Sequence, residues 1–228
     1  YLGDDDAKWT EQYDLLANAG IDYVNNVNGG AWDLVSKEDN LRMAAECYAR
    51  GMRVSVADRR MGPNFRNLTK EQIADLIGEY RNVAGVAGYY IQDEPYNPNI
   101  YTDTYRYMKD ADPDGYMHLN FLPYAAYPSV KEYEAQMNDW LSVNAAAGYP
   151  QEYLMYDLYP YPDNNNKTMN RVGFFTNLEA VRKVGLANDI KTGNYLQTMR
   201  IEGSYRMPTA SEVRYEAMCG MAYGFKPF

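Results

Sequence analysis

The chain has 228 residues, 46% apolar and 23% charged, enough for one globular domain with a sizeable core over 1–228 and too apolar for a disordered chain. A formal net charge of −9 with no Lys/Arg cluster argues against a polyanionic partner such as nucleic acid, because phosphate backbones demand concentrated positive charge. No apolar run approaches the roughly 20 residues of a membrane span, and the opening YLGDDDAKW resembles no signal peptide.

In chain order the sequence alternates helix-period segments with short apolar runs. DAKWTEQYDLLANAG predicts a first helix and IDYVNNV a strand. In SKEDNLRMAAECYARG, Ser36 caps a helix whose Leu41, Ala44, Ala45 and Tyr48 share a face, and Gly51 stops it. MRVSVAD is the next strand. TKEQIADLIGEYRN follows with Thr69 as cap, Gln72 at the capping-box position and Ile73, Leu76, Ile77 and Tyr80 as its stripe. The strands VAGYYIQD, GYMHLNFL, EYLMYDLY and KTGNYLQTM then alternate with helices predicted near 101–109, 129–144, 172–187 and 210–222.

Strands apolar on both faces and joined only through helices pair in parallel. Their repeat fits a doubly wound sheet or a (β/α)8 TIM barrel. The ends favour the barrel: the first helix implies a strand upstream of it, and AMCGMAYGFKPF reaches the point where an eighth should begin. The expectation is an α/β fold, a (β/α)8 barrel clipped at strand one and strand eight and part of a longer chain. IDYVNNV is then strand two, VAGYYIQD strand four and KTGNYLQTM strand seven. No GxGxxG or GxxxxGK[ST] occurs, which removes the main support for nucleotide binding.

Cys47 and Cys219 are far apart, lack CxxC spacing and read as small core residues. The single His118 gives little room for a Ser-His-Asp mechanism or a zinc site. Neither a metal nor a cofactor is expected, and the sequence is silent on oligomeric state.

In a barrel, chemistry sits where strands end. The strand ends here carry Asn25, Asn26 and Asn28, then Asp58 and Arg59, then Asp93 and Glu94, Asn120, Asp157 and Tyr159, and Gln197. Amides, acids and tyrosines around one mouth match hydroxyl-rich ligands, so a carbohydrate is the expected partner. Glu94, beside Asp93 and ahead of Pro95, is the candidate general acid, since two close carboxyls disfavour double ionisation. Adjacent strand residues point to opposite faces, so both acids face the axis only if the strand has already ended.

IQDEP at the end of the fourth strand resembles the acid/base position of the large clan of (β/α)8 retaining glycoside hydrolases, with Asp93 where an Asn often stands. More narrowly, GYYIQDEP, YDLYPYP, FFTNLEAVRKVGLANDI and YLQTM resemble glycoside-hydrolase-like barrels of gut Bacteroidetes. The resemblance implies a glycoside hydrolase with Glu94 as proton donor, and a secreted, periplasmic or cell-surface location. It also implies a nucleophilic Glu at the end of strand seven, where this chain has Gln197. Three substitutes stay open: Asp157, Glu202 in MRIEGSYRMP, or substrate assistance with Tyr156 and Asp157 as in chitinase-like barrels. A separation of about 5 Å between the carboxyls implies retention and about 6.5–9.5 Å inversion.

Two other classes stand beside the hydrolase. A barrel without its nucleophile is a glycan-binding domain, which Gln197 favours. An enolase-like Mg2+ site would use Asp58, Glu94 or Asp93, and Asn120, although no lysine closes a strand to act as base.

Overall fold

The structure, a computed structural model, describes residues 5–25, 35–61, 65–163 and 168–226. Helices and strands alternate as α1 (Asp6–Asn18), β1 (Tyr23–Asn25), α2 (Lys37–Ala49), β2 (Arg53–Val56), α3 (Lys70–Gly78), β3 (Val86–Asp93), α4 (Thr102–Ala111), β4 (Tyr116–Phe121), α5 (Val130–Ala146), β5 (Tyr153–Asp157), α6 (Arg171–Asn188), β6 (Lys191–Tyr195) and α7 (Ala210–Ala222). The strands form one sheet in the order β1-β2-β3-β4-β5-β6. Pairing is parallel, for example Val24 with Val54 and Asp157 with Tyr195. Strict sequential order, with no reversal of winding, is the barrel pattern rather than the doubly wound one.

The helices start where side chains satisfy orphan amides. Thr69 and Thr209 form capping boxes with Gln72 and Glu212, and Ser36 Oγ accepts the Asp39 N–H at 3.0 Å. On α3 the expected stripe of Ile73, Leu76, Ile77 and Tyr80 is buried. On α2 the expected face is corrected: Met43, Ala44 and Cys47 are buried with Asn40, and Tyr48 is 56% exposed. The stripe turns because Asn40 ties the helix to the end of β2, its Oδ1 accepting the Ala57 N–H at 3.1 Å and its Nδ2 donating to Ser36 O at 2.8 Å. A polar residue that periodicity assigns to solvent is a core tether. Cys47 is buried as expected, whereas Cys219 is only half-buried.

The chain divides into two compact units, one of Tyr1–Asp93 with Ile100–His118, the other of Glu94–Asn99 with Leu119–Pro227. The first packs Trp9, Tyr13, Met43, Ala44, Cys47, Met52 and Val54 into one cluster. Gly85 lets the chain pass close to α2 there: its φ is +95°, and a Cβ would lie 2.2 Å from the Ala44 carbonyl oxygen. His118 is wholly buried in this unit, its ring stacked on Tyr90 at 5.3 Å, and burial holds its pKa down at about 3, so it is neutral. In the second unit α5 buries Met137, Trp140 and Leu141, α6 buries Phe174, Leu178, Val181 and Val184, and β5 buries Leu154 and Met155. Each such side chain contributes about 1.5–3 kcal/mol when fully removed from water.

Candidate active site

The second unit opens on Glu94. Strand β3 ends at Asp93, and Glu94 turns out of it with φ of +44°, a left-handed backbone that L-residues other than Gly, Asn and Asp seldom adopt. Its N–H donates to Asn120 O at 2.9 Å, fastening the turn to β4. Pro95, buried and without an N–H, cannot continue a ladder. The strand has therefore ended between the two acids, and the alternation that would send them to opposite faces no longer governs Glu94. A left-handed Glu costs about 1–2 kcal/mol relative to an ordinary backbone, and such strain persists where surrounding structure imposes it.

Asp157 closes β5 and is half-buried, yet its Oδ1 is buried with no hydrogen-bond partner among the described residues. Around it stand phenols. Burial raises the Tyr133 pKa well above the usual value, with the charges of Tyr156, Tyr127 and Asp157 adding to it. Tyr127 is pushed up to about 12 by burial, then by Tyr96 and Glu94. Tyr205 is raised by burial and then by both Asp157 and Glu94, so the two carboxylates act on one ring. The ring of Tyr159 meets Tyr205 edge-on at 5.4 Å. These neutral phenols, with two carboxyls among them, can orient hydroxyl groups and move a proton at an oxygen.

Gln197, beyond β6, belongs to the same unit. It is fully buried, and its amide is engaged by backbone: Oε1 accepts the Tyr161 N–H at 2.9 Å, while Nε2 donates to Arg206 O at 2.6 Å and Tyr161 O at 3.3 Å. The side chain offers a ligand no surface; it fastens the loop after β5 to the loop after β6. Arg206 N donates to Tyr161 O at 3.1 Å, the Arg206 guanidinium covers the Tyr161 ring at 4.8 Å, and it forks onto Glu212 at 2.9 and 2.6 Å. Behind this clasp is Glu216, absent from the sequence reading. It is fully buried on α7, accepts the Gln197 N–H at 3.0 Å, and burial pushes its pKa up to about 7. The signal for it is spacing, since Glu216 falls in line with Val213 and Gly220 on the inward stripe of α7.

The remaining candidates separate. Asp58, in the first unit, is 1% exposed, and both its oxygens are engaged: Oδ1 accepts the Arg60 N–H at 2.8 Å and Arg60 Nε at 2.9 Å, and Oδ2 accepts Arg60 Nη2 at 2.7 Å and the Tyr80 hydroxyl. Burial alone would raise its pKa; the hydrogen bonds from Arg60 and Tyr80 outweigh it and leave the carboxyl below the ordinary value. Asp58 is thus a structural node rather than an open ligand for sugar or Mg2+. Arg59 is exposed and donates its N–H to Val35 O at 3.0 Å. Asp93 is the half-buried last residue of β3. Asn120, 1% exposed, receives Glu94 through its carbonyl. Glu202 is exposed in a tight turn closed by Ile201 and Tyr205. Asn26 and Asn28 lie outside the described residues. Among the described residues no three His, Cys, Asp or Glu side chains gather as a metal site, and no helix is long and apolar enough to cross a membrane.

No family model and no curated protein matches the sequence. Solved structures do match in fold. The catalytic domain of an endoglucanase from Thermobifida fusca superposes with a TM-score of 0.59 at 13% identity, over 94% of this chain and 70% of that one. A family 10 glycoside hydrolase xylanase from Thermobacillus composti gives 0.55 at 13% identity, over 92% and 74%. A mutant xylanase 10C from Cellvibrio japonicus, in complex with xylopentaose, gives 0.51 at 9% identity, and the chain spans 42% of its length. At these identities the likeness establishes the fold alone: six parallel strands of a (β/α)8 barrel.

Proposed function

We propose that the chain is a glycoside hydrolase acting on a poly- or oligosaccharide, with Glu94 as general acid/base and Asp157 as the second carboxylate. The observation that carries this reading is the left-handed backbone of Glu94, tied to Asn120 at the end of β3, with Tyr205 under the charge of both Glu94 and Asp157. Strain at a carboxyl-bearing turn, with a second, incompletely bonded carboxyl acting on the same phenol, supports a functional rather than a packing role.

In the proposed reaction Glu94 donates its proton to the glycosidic oxygen as the bond to the anomeric carbon breaks. Asp157 either attacks that carbon, to be displaced later by water, or takes a proton from the attacking water directly. The Tyr205 phenol, on which both charges act, holds a sugar hydroxyl or the ring oxygen. A polysaccharide-degrading role favours an extracellular or surface location.

Reducing-sugar release from plant, host and microbial glycans, followed for the protein and Glu94→Gln, tests the proposal. Loss of release on the order of 10²–10⁴-fold in the variant is expected. A second reading, glycan binding without cleavage, follows from the resemblance, which implies a nucleophilic Glu at the end of the strand where this chain has the buried amide of Gln197. It predicts equal glycan binding by both proteins and no product from either.

A further inference from the structure

Two residues beyond Glu94, Tyr96 is 62% exposed. One face of its ring is covered, stacked on Tyr127 with centroids 5.6 Å apart and planes 14° from parallel. Tyr127 is itself 9% exposed and backed by the fully buried Tyr133 at 5.3 Å, so the three rings run from solvent to core. The turn beneath is firm. Pro95 is buried, and Asn97 Oδ1 accepts the Asn99 N–H at 3.1 Å just before the 3-10 turn Pro98–Tyr101. Among the described residues the outer face of Tyr96 has no ring or cation over it, in contrast to the comparably exposed Tyr48, whose ring carries the Arg53 guanidinium at 5.9 Å. A flat aromatic face, held by packing behind it and two residues from the proposed general acid, is a surface on which a sugar ring can stack.

We propose that Tyr96 is a stacking platform for one pyranose ring of the substrate, adjoining the bond that Glu94 addresses; the inference rests on the carbohydrate reading of the site. A pyranose whose substituents are all equatorial presents flat C–H faces that fit an aromatic plane. Gluco- and xylo-configured residues are of this kind.

The experiment is titration calorimetry with xylohexaose, cellohexaose and maltohexaose, using Glu94→Gln protein so that nothing is turned over, and Tyr96→Ala and Tyr96→Trp placed in that background. Tyr96→Ala is expected to weaken binding of xylohexaose or cellohexaose by about 10- to 100-fold. Tyr96→Trp should restore it, and the melting temperatures should stay together, since the ring is mostly in solvent. In the active background the same Ala substitution should raise KM while leaving kcat within a few-fold. Binding of a β-linked hexasaccharide that is indifferent to Tyr96→Ala overturns the platform and leaves the carbohydrate reading standing. Failure of the parent to bind or cleave any of the three removes the platform together with the reading beneath it.

Discussion

Asp58 and Asp157 stand at matching points of the repeat, two residues beyond β2 and on the last residue of β5, and their surroundings give them opposite uses. Asp58 is saturated: Arg60 and Tyr80 engage both oxygens, and Arg60 also bonds Glu79, which Lys37 reaches at 2.8 Å. Asp157 keeps a buried oxygen with no partner among the described residues and lends its charge to three phenols. A carboxylate at a strand end is therefore not functional by position. What distinguishes the two is how many donors the fold has already committed to each.

The largest expected effect separates them directly. Asp157→Asn should lower the rate of glycan cleavage on the order of 10²–10⁴-fold with little change in melting temperature. Asp58→Asn should leave the activity of the folded protein near normal but cost about 3 kcal/mol in urea denaturation, because Arg60 loses one of its two charged partners and one buried oxygen becomes an amide nitrogen facing donors. A reversed pattern would exchange the two roles.

Glu216 sharpens the comparison with a buried acid of a third kind. Its folded pKa, about 7, lies above the ordinary 4.5, so the folded protein binds the proton more tightly than the unfolded chain does. That stabilisation is fully present below pH 4.5 and is lost as pH rises to about 7, by at most about 3 kcal/mol. Glu216→Gln should flatten this part of the stability profile while its side-chain oxygen still receives the Gln197 N–H. Urea melts at pH 5 and pH 8 would read it, and a wild-type profile with no fall between them would refute the assignment.

The smallest effect concerns the backbone of Glu94. Both Glu94→Ala and Glu94→Gly remove the carboxyl, but only glycine adopts the left-handed turn freely. Glu94→Gly should be about 1 kcal/mol more stable than Glu94→Ala. Equal melting temperatures would mean the turn is unstrained.

Much of this is legible in the residues. VAGYYIQD marks β3 from Val86 to Asp93 because an apolar run is bounded by a glycine on one side and a proline turn on the other, and α7 is set by the Thr209 cap and its helical period. Strand ends, and hence Glu94 and Asp157, follow from the same local rules. What local rules do not reveal is the committed partner. Gln197 looks like a mouth residue until Tyr161 and Arg206, distant in sequence, take up its amide. Asp58 looks like a ligand until Tyr80 arrives from the end of α3. Nothing in a glutamate's type announces a positive φ, which is imposed by Asn120 from the next strand.

The Gln197 clasp has a consequence for how the rim of this molecule can change. Because one buried amide reads the backbone of both Tyr161 and Arg206, the loops after β5 and β6 are held as one piece. A crossover that imports either loop alone brings a backbone cut to a different lock. Recombination libraries aimed at these loops should therefore place their joints ahead of Tyr161 and beyond Arg206, with Gln197 carried along.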